Sequence, residues 1–157
     1  MSKLFVDEIK GNTGTTVTVP TGQTLIQSSV PAFSAGYAAG AVVSGDLVFD
    51  TANVNNGSHY STTTGRFTAP VSGLYFFAWS FLPESVNSRS GSFYFKVNGT
   101  QTPASQNLYY AQGDQSDVRW NTSWTQVLSL TASQYVTCYA GAACYRPNQS
   151  FSGFLIG

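Results

Sequence analysis

The sequence predicts an all-β fold on three observations. Residues 74–79, Leu-Tyr-Phe-Phe-Ala-Trp, are unbroken apolar sequence, continued after Ser80 by Phe81 and Leu82. Short apolar or alternating stretches recur along the chain, closed by Gly, Asn and Pro. No helical pattern exceeds one turn, and there is no internal repeat. A strand points alternate residues to opposite faces. Tyr75, Phe77, Trp79 and Phe81 therefore share one face, and Leu74, Phe76 and Ala78 the other. Both are apolar, whereas a lone sandwich covers only the inner face of each sheet. The outer face of strand 73–82 needs a second chain, so an oligomer is expected.

In chain order, residues 1–30 read as a β arm and residues 31–157 as the main domain. In the arm, Leu4, Phe5, Val6 and Ile9 mark a short strand and residues 11–14 a turn. Residues 15–19 alternate through Val17 and Val19 and stop at Pro20, and residues 23–27 are a third short segment. Too few apolar residues are present for the arm to fold alone. The domain opens with a strand at 32–37, an apolar connection at 40–45 and a short strand at 47–49. Residues 53–61, with Asn55, Asn56 and Gly57, read as a turn. Residues 92–97 are a strand ending in Asn98-Gly99, a strong two-residue hairpin signal. Residues 100–122 are polar and irregular. Strands resume at 123–130, 135–140 and 151–156.

Composition excludes several functions. Charged residues make up 9% of the chain and the net charge is zero, against about 25% charged residues in ordinary domains. Ser, Thr, Asn and Gln fill the deficit. A protein that grips phosphate backbones concentrates positive charge; this one does not, so nucleic acid is not an expected partner. The longest strictly apolar run, residues 74–79, is far short of the ~20 residues that span a bilayer, so no membrane insertion is expected. The first ten residues carry no apolar secretory core.

Five residues separate Phe49 from Asn55, four separate Asn55 from Tyr60, six separate Tyr60 from Phe67 and five separate Phe67 from Gly73. Then follows Gly73-x-Tyr75-x-Phe77-x-Trp79. This pattern resembles the signature of the complement component 1q globular domain, a relative of the tumour necrosis factor fold. Trp79 stands where that family prefers Phe or Tyr, and residues 131–134, Thr-Ala-Ser-Gln, replace its usual Gly-Asp turn. The ending, residues 150–156, is also similar. The resemblance covers roughly residues 31–157 and implies a ten-stranded jelly-roll that assembles as a homotrimer. The arm, in turn, resembles the N-terminal segment of phage virion proteins, which implies an anchor on another virion protein or a short intertwined stalk.

Candidate sites are few. With one histidine, seven carboxylates and no nucleophile motif, catalysis has no visible machinery, and the chain reads as non-enzymatic. No cofactor is expected; Asp114 and Asp117, two hard oxygen donors three residues apart, are the candidate calcium ligands, short of a full shell. Cys138 and Cys144 are either two free thiols or a disulfide between facing strands. Residues 106–124 hold the recognition candidates, Tyr110, Arg119, Trp120 and Asn121, with Tyr109 and Trp124 assigned to the trimer seam. Flat aromatic surface beside amides and a guanidinium suits a glycan or protein contact. The expected seam gathers Tyr75 and Phe76 class side chains around a threefold axis.

These readings converge on a trimeric structural protein of a phage virion, assembled in the host cytoplasm. The favoured role is a tail-fibre or receptor-binding tip touching a host surface glycan or protein. The alternative is a capsid decoration protein held by its arm.

Overall fold

The computed structural model describes residues 30–84, 90–103, 106–109 and 121–156, so residues of the arm before Val30 lie outside the described residues. Twelve strands run in the order β1 (Ala32–Gly36), β2 (Val42–Asp46), β3 (Thr51–Asn56), β4 (Tyr60–Ser61), β5 (Arg66–Thr68), β6 (Gly73–Phe81), β7 (Ser90–Val97), β8 (Thr100–Gln101), β9 (Gln106–Tyr109), β10 (Thr122–Leu130), β11 (Tyr135–Tyr145) and β12 (Ser150–Leu155). A single 3-10 turn, Arg146–Asn148, joins the last two. Twelve strands are found among the described residues where ten are expected, and two of them, β4 and β8, are two-residue edge pieces.

The strands form two antiparallel sheets. One has five strands in the order β10-β6-β12-β1-β3. The other has seven, β4-β5-β11-β7-β8, with β2 also paired to β11 and β9 to β7. In β6 burial alternates strictly from Tyr75 onward. Tyr75, Phe77, Trp79 and Phe81 are fully buried and face the other sheet. They meet a core rich in aromatic residues. Phe33 of β1 stacks on Tyr60 at 4.8 Å and on Phe67 at 4.9 Å, and meets Phe151 of β12 edge-on at 4.7 Å. Phe81 stacks on Phe93 of β7 at 4.5 Å. Offset and edge-on pairs of this kind add about 0.5–1.5 kcal/mol each beyond their buried area.

Two glycines serve particular needs. Gly153 of β12 lies directly opposite Phe77, and a Cβ there would stand 2.5 Å from the Phe77 ring and 2.9 Å from the Phe76 carbonyl. Only a bare backbone lets that ring lie across β12. Gly99, with φ of 80°, and Asn98, with φ of 50°, close the β7–β8 hairpin, as the Asn-Gly pair requires.

The spaced signature residues hold the fold. Phe49, Tyr60 and Phe67 are core residues, and Gly73 opens β6. Asn55 works through its side chain. Its Nδ2 donates to the Tyr60 carbonyl at 2.8 Å, and its Oδ1 accepts from the Tyr60 amide at 3.0 Å. The Tyr60 hydroxyl donates to the Phe49 carbonyl at 3.1 Å. The three residues thus lock one turn.

Four expectations about elements need correction. Residues 42–45, within the stretch 40–45 read as a connection, belong to β2, because β11 runs on to Tyr145 and offers a partner. Residues 47–49 are not a strand; Leu47 and Phe49 leave the ladder to plug the core. The turn expected over 53–61 begins only after Asn56, since β3 pairs with β1 as far as Asn56. Residues 106–109, within a stretch read as irregular, pair with β7. Both cysteines lie on β11, six residues or roughly 20 Å of extended chain apart, and both are free and buried. This leaves no geometry for a bond between them.

Because Phe77 touches Phe33, Phe67, Phe95 and Phe151, Phe77→Ala should cost about 3–5 kcal/mol in chemical denaturation. Phe77→Asp should yield no soluble protein in an expression assay.

Candidate functional site

The same alternation that buries one face of β6 exposes the other. Register aligns the outward residues in rows across the five-stranded sheet. Val127 of β10 faces Phe76 of β6, Phe76 faces Phe154 of β12, and Phe154 faces Ala32 of β1. The Phe76 and Phe154 rings lie 5.5 Å apart. To one side, Leu74 accepts the Ile156 amide at 2.7 Å. To the other, the rows become small and hydroxylic, through Thr125, Ala78, Ser152 and Ser34, then Ser123, Ser80 and Ser150. Ser80 and Ser150 share a hydrogen bond of 2.8 Å between hydroxyls. Val127 is 53% exposed and Phe154 46%. A row of exposed aromatic and aliphatic residues at mid-sheet is unusual for a free surface.

Charge separates the two sheets. None of the five strands in this sheet contains Asp, Glu, Lys or Arg. The charged side chains among the described residues all lie elsewhere: Asp46, Asp50, Arg66, Glu84, Lys96 and Arg146. The outer face of the seven-stranded sheet is polar and aromatic. There Lys96 pairs with Asp46 at 2.6 Å and sits 4.4 Å above the Tyr139 ring. Tyr139 stacks on Tyr94 at 4.8 Å, and Arg66 lies 4.1 Å above Tyr135. That face is dressed for water; the five-stranded sheet is not.

The structure redistributes the expected site residues. Phe76 is on the outer face, but Tyr75, Phe77, Trp79 and Phe81 are internal to one chain. Tyr75 is therefore not a seam residue, because its face packs on the other sheet and its hydroxyl donates to the Val71 carbonyl at 2.7 Å. Trp124 faces inward, opposite Trp79 in the ladder. It packs half-buried against the core, on the face of β10 opposite to Val127, and its Nε1 has no hydrogen-bond partner among the described residues. Tyr109 lies in β9 of the seven-stranded sheet. Asn121 is exposed at the entry to β10. Tyr110, Arg119, Trp120, Asp114 and Asp117 lie outside the described residues, as do Leu4, Phe5, Val6, Ile9, Val17 and Val19. Among the described residues, no group of three or more His, Cys, Asp or Glu is placed to hold a metal. Val127, Phe154 and Ile156 were not singled out from the sequence, although the alternation Ser152, Phe154, Ile156 against Phe151, Gly153, Leu155 carries the signal.

Burial leaves a mark on several ionisable groups. It pushes the Tyr37 hydroxyl up to about 12, against the opposing pull of Arg146. Tyr60 and Tyr75 are raised by burial too. The Cys144 thiol is pushed up to about 12 and Cys138 is also raised, both by desolvation. An unfolded chain ionises its thiols near 9.0 and its phenols near 10.0, while the folded chain keeps these protons. Their contribution to stability is thus complete below pH ~9 and is lost as pH rises towards the folded values. The expected outcome is a denaturation midpoint insensitive to these groups near neutrality and falling steadily above pH ~9, with phenolate absorbance appearing together with unfolding.

Comparison with known proteins agrees with this architecture. The sequence matches the family described as the C1q domain over residues 32–156. The globular domain of zebrafish complement 1qA protein has a similar structure, with 20% identity and a TM-score of 0.58, over 81% of this chain and 98% of that one. The Eiger TNF of S. frugiperda is similar at 11% identity and a TM-score of 0.59, over 82% of this chain and 94% of that one. No curated protein matches the chain. The match to the family model over residues 32–156, with a similar fold over most of its length, places this chain in the C1q domain family, whose jelly-roll domains form trimers and are generally non-enzymatic.

Proposed function

We propose that this chain is a homotrimeric structural protein of a phage particle, and that it serves as a recognition tip at the host surface. One observation carries the assembly: a five-stranded sheet without a single charged residue presents Val127 and Phe154 to solvent, with half-buried Phe76 between them. Hiding one such side chain stabilises by about 1.5–3 kcal/mol, and three copies would each hide several. Like charges on a threefold axis would oppose assembly, and this face has none. Family membership supports the same stoichiometry.

The virion context rests on the arm. Its strand-turn-strand pattern at 4–19 resembles phage virion proteins and supplies a means of attachment to another virion protein. The tip role rests on the aromatic and amide residues Tyr110, Arg119, Trp120 and Asn121, chemistry suited to a glycan or protein ligand. Capsid decoration is the second reading, in which the arm would lock onto the shell.

Two outcomes are expected. The thermal midpoint should rise with protein concentration, as association requires, and Phe154→Asp should remove that dependence while leaving a β-rich far-UV spectrum. Fluorescent protein should bind host cells saturably, with Trp120→Ala weakening the binding. Binding to stripped heads alone, lost when residues 1–29 are removed, would favour decoration instead.

A further inference from the structure

The outer face of the seven-stranded sheet is built around one covered hydroxyl. On β11, Val136 and Cys138 belong to the core, so Tyr135, Thr137 and Tyr139 point outward. Thr137 is nevertheless only 7% exposed, because long side chains surround it. Lys96 of β7 pairs directly with Thr137. On the other side Phe67 of β5 pairs with Val136, which brings Arg66 alongside. The two cations stand two strand spacings apart, roughly 10 Å, with the threonine between them. Each lies over a tyrosine ring, Arg66 over Tyr135 at 4.1 Å and Lys96 over Tyr139 at 4.4 Å. Stacking holds a cation in place without using its N–H groups.

The two cations differ in what they have left to offer. Lys96 is neutralised by Asp46 at 2.6 Å. Arg66 is exposed, and among the described residues no carboxylate lies within ion-pairing distance of it. Its planar fork fits a carboxylate through two parallel hydrogen bonds. The strands of this sheet hold three charged residues, Arg66, Lys96 and Asp46, so the face carries a single net positive charge. Its other groups are neutral and polar: Tyr94 stacks on Tyr139, and Gln101 pairs with Lys96 in the ladder.

We propose that this face binds a carboxylate-bearing sugar. Arg66 grips the carboxylate, and the tyrosine hydroxyls and the Gln101 amide meet the hydroxyls of the sugar. One unpaired guanidinium among neutral polar groups matches a ligand with one acid group among many hydroxyls. A polyanion is held by a concentration of positive charge, and this face has one cation to spare. The site goes beyond the tip reading above, since it uses none of residues 110–121. It lies on the sheet opposite to the uncharged one, so it stays open whether or not chains associate.

The test titrates the full chain by calorimetry with trigalacturonate and with its methyl ester, which keeps the rings and masks the acids. The acid should bind saturably and the ester about tenfold more weakly or worse, the loss expected when a charge-assisted pair is removed. Arg66→Gln, with an unchanged far-UV spectrum, should reduce the acid to the affinity of the ester. Asp46→Asn frees Lys96 and should tighten the acid about two- to fivefold while leaving the ester unchanged. Equal binding of acid and ester, no binding of the acid at millimolar concentration, or full binding by Arg66→Gln would each overturn the proposal. Hexaglutamate binding as tightly as trigalacturonate would overturn the assignment to a sugar and make the face a site for acidic peptides.

Discussion

Everything in this domain depends on the two-residue period of β6. Its inward side chains, Tyr75, Phe77, Trp79 and Phe81, are each held by aromatic partners from both sheets, including Phe67, Phe93, Phe95 and Phe151. A slip of one residue would exchange every one of them for an outward residue, so the register is fixed. That constraint leaves Leu74, Phe76 and Ala78 with no place inside the chain. This interior strand of the sheet therefore folds the chain with one side and presents an apolar surface with the other. Its neighbours conform: Gly153 gives up a side chain so that Phe77 can lie flat, and Phe154 beside it joins Phe76 on the outer face.

The distribution of charge follows the same division. Polar, ion-paired and cation-capped tyrosines lie on the seven-stranded sheet, while the five-stranded sheet is built from uncharged residues alone. A chain with 9% charged residues has few to place, and their complete exclusion from five adjacent strands is a pattern of location rather than of scarcity. The gradient along the face, from Leu74 and Ile156 at one end to paired serines at the other, gives the surface a direction, and the chain enters the domain at its apolar end.

Much of this was legible in the sequence where local chemistry decides the outcome. Strand 73–82 was visible because both of its faces are apolar, and the Asn98-Gly99 turn because few residues tolerate those backbone angles. The spaced residues Phe49 to Gly73 identified the family, although only the structure shows Asn55 clamping Tyr60. The failures arose where a distant partner decides. Val42 and Val43 pair only because β11 continues past Gly141 to Tyr145, which no local pattern states. Leu47–Phe49 is apolar enough for a strand, but the core drew Leu47 and Phe49 out of the ladder. Flanking strands suggest a seam position for Trp124, and a two-faced apolar strand suggests one for Tyr75, yet neither signal tells which sheet face a residue occupies; register does. The recognition candidates around 110–120 and the arm rest on sequence alone.

The most direct test of the account is the mass of the wild-type chain in solution, followed by light scattering as the protein is diluted. Three chains of 16.8 kDa each, persisting across dilution at both low and high salt, is the predicted result, because the surface that joins them carries no charge for salt to screen. A stable, well-folded monomer at all concentrations would contradict it: the apolar face of β6, β10 and β12 would then be a free surface, and the division of that strand between folding and assembly would not hold.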